Sequence, residues 1–272
     1  MHLSVNNKSR QKNGNASVFS ANENLMWSTA LLFLVMAYYF DKHYSHLLLF
    51  WVVVILLYGN AKRVSSKTHT NAFMVIRRLV FIVPLFLPIL VVNFSMHYFI
   101  SFHLWYLFAS AALGLAFLLP KINEYRLMLT KDFIILTSKP RSKTDNISDI
   151  LLTIASVIGE EVFFRGFLIG YLIHSNTNTN ALILIGISTL TFFMNHFGLK
   201  WGSSFSLYDC AIQIIFGIVS ATFFILSGSI IPSIIIHFIY NLPHVAQSIV
   251  RLYIPVTSYD IEIIDKEHFI EQ

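Results

Sequence analysis

The sequence predicts an all-α fold, a polytopic membrane helical bundle of about eight transmembrane helices with both termini on the inner side. Three observations predict it. Of 272 residues only 33 are charged, 19 Lys/Arg and 14 Asp/Glu, about half the charge density of an ordinary soluble domain. Apolar residues make up 56% and aromatics 15%, with a mean hydropathy of +0.65. That composition excludes a soluble globule, and it excludes disorder, which needs low hydrophobicity and high net charge. The third observation is where the basic residues stand. With eight spans and the N-terminus inside, 17 of the 19 Lys/Arg fall in inner segments, Lys42 alone falls in an outer one, and Arg165 lies within a span. The positive-inside rule asks for that asymmetry.

Residues 1–24 form a polar N-terminal tail rich in Asn and Ser. The apolar run Leu25–Phe40 ends in Tyr-Tyr-Phe-Asp-Lys rather than in a small-residue cleavage site, so it reads as the first span and not as a signal peptide. Leu47–Tyr58 is the second. Phe73–Leu119 is too long for one helix at about 20 residues per span, and the polar break Asn93–Phe102 divides it into spans three and four. Pro84 and Pro88 should kink the third, which membrane helices tolerate where neighbours satisfy the freed carbonyls. Residues 25–120 thus hold helices one to four.

Residues 121–149 are the longest internal polar segment and read as a cytoplasmic loop, with a Pro-containing basic stretch at 139–145. Residues 150–250 hold helices five to eight, at 150–174, 181–197, 208–227 and 230–250. Their connections are the Ser/Thr/Asn run 175–180, Gly198–Leu207 and a tight Ser-Gly-Ser turn at 227–229. Residues 251–272 form an acidic tail. Asn-rich flanks and small size place the chain as a multi-pass protein of a cell membrane, the bacterial plasma membrane.

The formal net charge is +5, yet the basic residues form no stripe interleaved with aromatics, so nucleic acid is not a partner. The lipid bilayer is. Cys210 is the only cysteine, which excludes an intramolecular disulfide and a cysteine metal cluster. In its apolar run it reads as a small buried hydrophobe. Nothing in the composition fixes an oligomeric state.

Placing the charges leaves three deep in an apolar helix: Glu160, Glu161 and Arg165. Each costs roughly 2.5–3.5 kcal/mol at a bilayer centre even on the lenient insertion scales, and such residues face a bundle interior or a water cavity. Glu161 and Arg165 stand i,i+4 and pair on one helix face. Glu160 is turned from Glu161 by about 100°, so one carboxylate is neutralised while the other faces elsewhere. Span six supplies His196, and span eight supplies His237 and Asn241 on one face. A carboxylate, two imidazoles and a carboxamide from three helices suit amide hydrolysis: the carboxylate activates water, and preorganised donors stabilise the oxyanion. Each also has a plainer reading. A membrane His commonly bonds between helices, Glu161–Arg165 serves as a structural pair, and Phe163, Phe164, Phe192 and Phe193 serve as packing. His43, His46, His97, His103, His174, His244 and Asp209 fall near span ends or in loops, where interfacial placement is the default.

At these residues the sequence resembles the CPBP family of intramembrane endopeptidases, which includes the CAAX prenyl proteases and bacteriocin-processing or immunity proteins. Its motifs Glu-Glu-x-x-x-Arg, Phe-x-x-x-His and His-x-x-x-Asn stand here as Glu160-Glu161-Val-Phe-Phe-Arg165, Phe192-Phe-Met-Asn-His196 and His237-Phe-Ile-Tyr-Asn241. The ordered triplet covers about residues 150–250. The resemblance implies that Glu160 activates the water with His196 assisting, that His237 and Asn241 stabilise the oxyanion, and that Glu161 with Arg165 holds the helix. The substrate would be a membrane-associated peptide or a membrane protein. No cofactor is favoured. A zinc-dependent version of the same protease would use Glu160, His196 and His237 with water as the fourth ligand, although no His-Glu-x-x-His occurs. Two other functions stay open at this point. One is a non-catalytic bacteriocin-immunity or regulatory membrane protein; the other is a carrier, which the lack of repeated halves disfavours.

Overall fold

Long apolar runs without internal turn signals satisfy their backbone polar groups within the segment, and in a bilayer a helix is the way to do so. The computed structural model describes residues 21–40, 42–64, 79–80, 82–89, 101, 103–138, 142–174, 179–196 and 207–254. Among these residues the elements are helical and no strand is present. In chain order they are α1 (Ala21–Phe40), α2 (Lys42–Val64) and α3 (79–80 and 82–89). Then come α4 (Leu104–Leu118), which runs through a 3-10 turn at Leu119–Lys121 into α5 (Ile122–Met128), and α6 (Lys131–Thr137). α7 (Lys143–Glu161) continues through a π-helical segment, Val162–Phe167, into α8 (Leu168–His174). α9 (Ala181–Asn195), α10 (Leu207–Ser227) and α11 (Ile231–Leu252) complete the order. The N-terminal tail before residue 21, the break Asn93–Phe102 apart from Ser101, the whole 198–206 connection and the tail from 255 lie outside the described residues.

The elements depart from the expected spans in instructive ways. α2 extends past Leu47–Tyr58 at both ends. The polar segment 121–149 is helical over most of its described length, because it carries good caps. Thr130 accepts from the Phe133 amide at the start of α6, and Ser142 accepts from the Asp145 amide at 3.1 Å to open α7. Such caps satisfy otherwise orphaned first-turn N–H groups. The Ser-Gly-Ser turn stands where expected. Gly228 takes φ +60, a left-handed conformation that glycine adopts without strain, and Ser101 donates to its carbonyl at 3.0 Å.

Two helices among the described residues are long and apolar enough to cross a membrane, Leu104–Met128 and Leu207–Ser227. α7–α8 and α11 also run long, but carry the polar residues of the interior. Among the described residues, large apolar side chains face outward on α4 and α10, and a polar cluster is buried within a mainly apolar core. Leu104, Trp105, Phe108 and Leu115 on α4, and Ile214, Ile215, Ile218 and Leu226 on α10, are exposed. Glu160, Glu161, Arg165, His196, Gln213, Ser220 and His237 are buried. α11 is the central post, packed against α4, α7 and α10, while α9 packs on α10 and on the π segment. Small residues let these backbones approach: a Cβ added at Gly114 on α4 would lie 2.8 Å from the Ile239 Cβ on α11, the close packing expected of membrane bundles.

Candidate active site

The site forms where α7, α9, α10 and α11 converge on a cavity of about 700 Å³. α7 lines it with Asp149, Leu152, Thr153, Ser156, Val157 and Glu160, a stripe at helical period that turns one face of the helix to the cavity. From Asp149 to Glu160 the stripe descends on the order of 16 Å at about 1.5 Å per residue. Of the lining residues, Lys121, Glu124, Asp149, Asp209 and His244 are exposed or half-buried and mark the mouth, while Glu160, Phe192, His196, Phe216 and His237 are buried and form the deeper wall. Lys121 and Asp209 close one side of the mouth with a 3.2 Å ion pair.

The three charges expected inside the helix are all buried, with Glu161 and Arg165 at 0% exposure. Arg165 Nη1 donates to Glu161 Oε1 at 3.0 Å, i to i+4, as the spacing predicts. Its guanidinium also lies over the Phe192 ring, 4.4 Å from the centroid, a desolvated cation–π contact. Phe192 is therefore more than packing. Glu160 points away from this pair, and its Oε1 accepts from Ser156 Oγ at 2.8 Å, one turn earlier.

The histidines divide between the two carboxylates. His196 Nδ1 stands 3.0 Å from the Phe192 carbonyl; a carbonyl only accepts, so Nδ1 carries a proton and donates it. That bond fixes the ring with Nε2 toward Glu160 Oε2 at 3.4 Å. His237 goes to the other carboxylate: its Nδ1 lies 2.7 Å from Glu161 Oε1, and it donates for the same reason. Ser220 Oγ reaches Glu161 Oε2 at 3.5 Å. Asn241 lines the cavity, with Nδ2 donating to the His237 carbonyl at 3.1 Å. The six residues singled out from sequence thus converge, but as two connected sets. Ser156–Glu160–His196 is one, and Arg165–Glu161–His237 is the other, with Asn241 beside it.

The backbone beneath them is not a plain α-helix. Val162–Phe167 is π-helical, and the Leu168 amide bonds the Phe163 carbonyl five residues back. Such widened turns are rare and recur at functional sites. Ser188 of α9 donates to the Phe164 carbonyl within the segment at 2.7 Å, tying it to the helix that carries His196.

Of the expected zinc set Glu160, His196 and His237, Glu160 faces His196, while His237 bonds through Nδ1 to Glu161 rather than to Glu160. Among the described residues no group of three or more His, Cys, Asp or Glu side chains is placed to hold a metal ion.

Several lining residues were not singled out as functional. Asp209 and His244, expected at the interface, line the cavity. Lys121 and Tyr240 join them from α4's extension and α11. Ser156 and Gln213 were passed over although each left a signal: Ser156 stands i−4 from Glu160, and Gln213 is an amide in an apolar run.

Residues 146–243 match the family described as Type II CAAX prenyl endopeptidase Rce1-like. That segment contains all three motifs and the walls of the deep cavity. The chain carries an Rce1-like domain of the CAAX (CPBP) protease family, a family of membrane endopeptidases. Comparison with curated proteins and with solved structures gave no match.

Proposed function

We propose that the protein is an intramembrane endopeptidase that hydrolyses a peptide bond of a membrane-associated peptide or protein, with a water activated by Glu160. The observation that carries this reading is the Glu160–His196 pair at the bottom of an open cavity, 3.4 Å apart with His196 Nδ1 already committed to a carbonyl. A neutral His196 presents an acceptor lone pair at Nε2, and Glu160 presents another. A water on the cavity side donates one O–H toward each, leaving its own lone pair for attack. As its oxygen bonds the scissile carbonyl carbon, one proton passes to Glu160. Collapse of the tetrahedral intermediate breaks the C–N bond, and Glu160 returns that proton to the leaving amine.

His237 and the second N–H of the Asn241 amide are the oxyanion donors. Glu161 accepts from His237 Nδ1 at 2.7 Å, so Nε2 is the ring nitrogen left to face the oxyanion. Arg165 holds Glu161 in place, which makes Glu161 and Arg165 positioning residues. The chemistry calls on side chains of residues 150–250 alone and on no metal.

The bundle is read as eight spans, residues 25–120 forming the first four and 150–250 the rest. The tail 1–24, the 121–149 segment and the acidic tail 251–272 lie on the inner side of a bacterial plasma membrane. Its support is that α7 and α10 begin, and α11 ends, toward the cavity mouth, which on this reading opens on that side. In cells, comparative peptidomics of membranes carrying wild type and Glu160→Gln tests the function. A peptide that accumulates uncut in the variant is expected. Equal peptide profiles, with the variant present in membranes at wild-type level, would falsify the reading.

A further inference from the structure

Gln213 belongs to none of the three motifs, and the mechanism above leaves it idle. It is 4% exposed, it lines the cavity, and its Oε1 is buried with no hydrogen-bond partner. On α10 it stands in an i, i+4, i+7 stripe with Asp209 and Phe216. Asp209 is tied to Lys121 at the mouth, and the Phe216 ring lies 4.9 Å from the His237 ring on the deeper wall. Gln213 therefore sits one turn, about 6 Å, inward of the mouth pair, on the route to Glu160.

A buried carboxamide oxygen without a partner opposes folding, whereas an apolar side chain of equal volume would be neutral or stabilising there. A polar group so placed on a cavity wall is satisfied when the ligand brings its partner. Oε1 accepts, so its partner is a donor, which a peptide backbone supplies as N–H. The adjacent –NH2 donates, so the side chain matches the N–H and C=O of one backbone unit in an extended peptide. Building on the protease reading, we propose that Gln213 is a substrate-binding residue that hydrogen-bonds the backbone of an extended substrate segment between the mouth and Glu160, setting which bond lies over the carboxylate. It reads backbone geometry, not side-chain identity.

The test measures binding without turnover. In the Glu160→Gln protein in detergent, a dye-labelled octapeptide ending in a farnesylated CAAX sequence is titrated, together with a series bearing one backbone N-methyl at each position. Gln213→Met, an apolar near-isostere, should weaken the parent peptide about tenfold, the scale of one buried hydrogen bond. One N-methyl position should weaken binding similarly when Gln213 is present and add little once Gln213→Met has been introduced. Thermal stability of Gln213→Met should equal or exceed that of its parent. Unchanged affinity, or a lowered Tm, overturns the proposal and leaves Gln213 as a water-satisfied or structural amide. The two readings fail separately. If otherwise unmutated protein leaves the peptide uncut while Gln213-dependent binding persists, the protease reading falls alone. If it cuts the peptide while Gln213→Met binds normally, this inference falls alone.

Discussion

Replacing Arg165 by Leu tests whether the buried ion pair organises the site. Both side chains of the pair are 0% exposed and 3.0 Å apart, and the guanidinium also covers the Phe192 ring at 4.4 Å. Removing one partner of a fully buried pair leaves an uncompensated charge and costs about 3–5 kcal/mol, whereas replacing both by apolar groups of similar size is often neutral. Each kcal/mol moves Tm by about 2–4 °C in a chain of this size class, so Arg165→Leu should lower Tm by about 6–20 °C. Glu161→Leu/Arg165→Leu should regain at least half of that loss. Activity should not return in the double variant, because His237 Nδ1 loses the carboxylate 2.7 Å away. Thermal unfolding in detergent and turnover of a farnesylated CAAX peptide provide the two readouts. A single variant within about 2 °C of wild type, at most about one kcal/mol on the same scale, would refute the argument. So would a double variant no more stable than the single.

Three further outcomes follow from the same geometry. Gly114→Ala places a Cβ 2.8 Å from the Ile239 Cβ and 3.3 Å from the Ile236 carbonyl oxygen; it should destabilise by about 1–3 kcal/mol, and Ile239→Ala should recover part of that in a thermal melt. A strong zinc chelator should leave peptide turnover unchanged, since the proposed step uses the Glu160 carboxylate and the His196 imidazole alone; loss of activity restored by added zinc would return the metal reading. Cys210 is the only cysteine, so a Cys210→Ala background permits a clean topology test. In intact cells a membrane-impermeant maleimide should label Lys42→Cys, and should label Arg141→Cys only after permeabilisation. The reverse pattern would invert the proposed orientation.

Local periodicity made part of this site legible in the sequence. The Glu161–Arg165 pair follows from i,i+4 spacing within one helix, and the separate aim of Glu160 follows from one residue's rotation of about 100°. Apolar run lengths gave the helical class, and the glycine between Ser227 and Ser229 gave the turn. What periodicity does not encode is which of two adjacent carboxylates each distant histidine meets. His237 and Glu161 are separated by 76 residues, and the choice depends on how α11 packs on α7. The π-helical segment is likewise silent in sequence, because its widened turn depends on partners such as Ser188 on another helix. The mouth pair Lys121–Asp209 spans 88 residues, and each member alone looks like an ordinary interfacial charge. The polar run 139–145 carried a loop signal, yet Ser142 at its centre is the cap that starts α7.

Central to this account is that Glu160 performs the chemistry and does not merely hold the fold. Single-turnover cleavage of the farnesylated CAAX peptide by purified wild type and Glu160→Gln, with peptide affinity measured on the same samples, tests it most directly. The variant should bind the peptide as tightly as wild type and lose at least about 10²–10⁴-fold in rate, the usual contribution of a positioned general base. Cleavage by Glu160→Gln at the wild-type rate would contradict it.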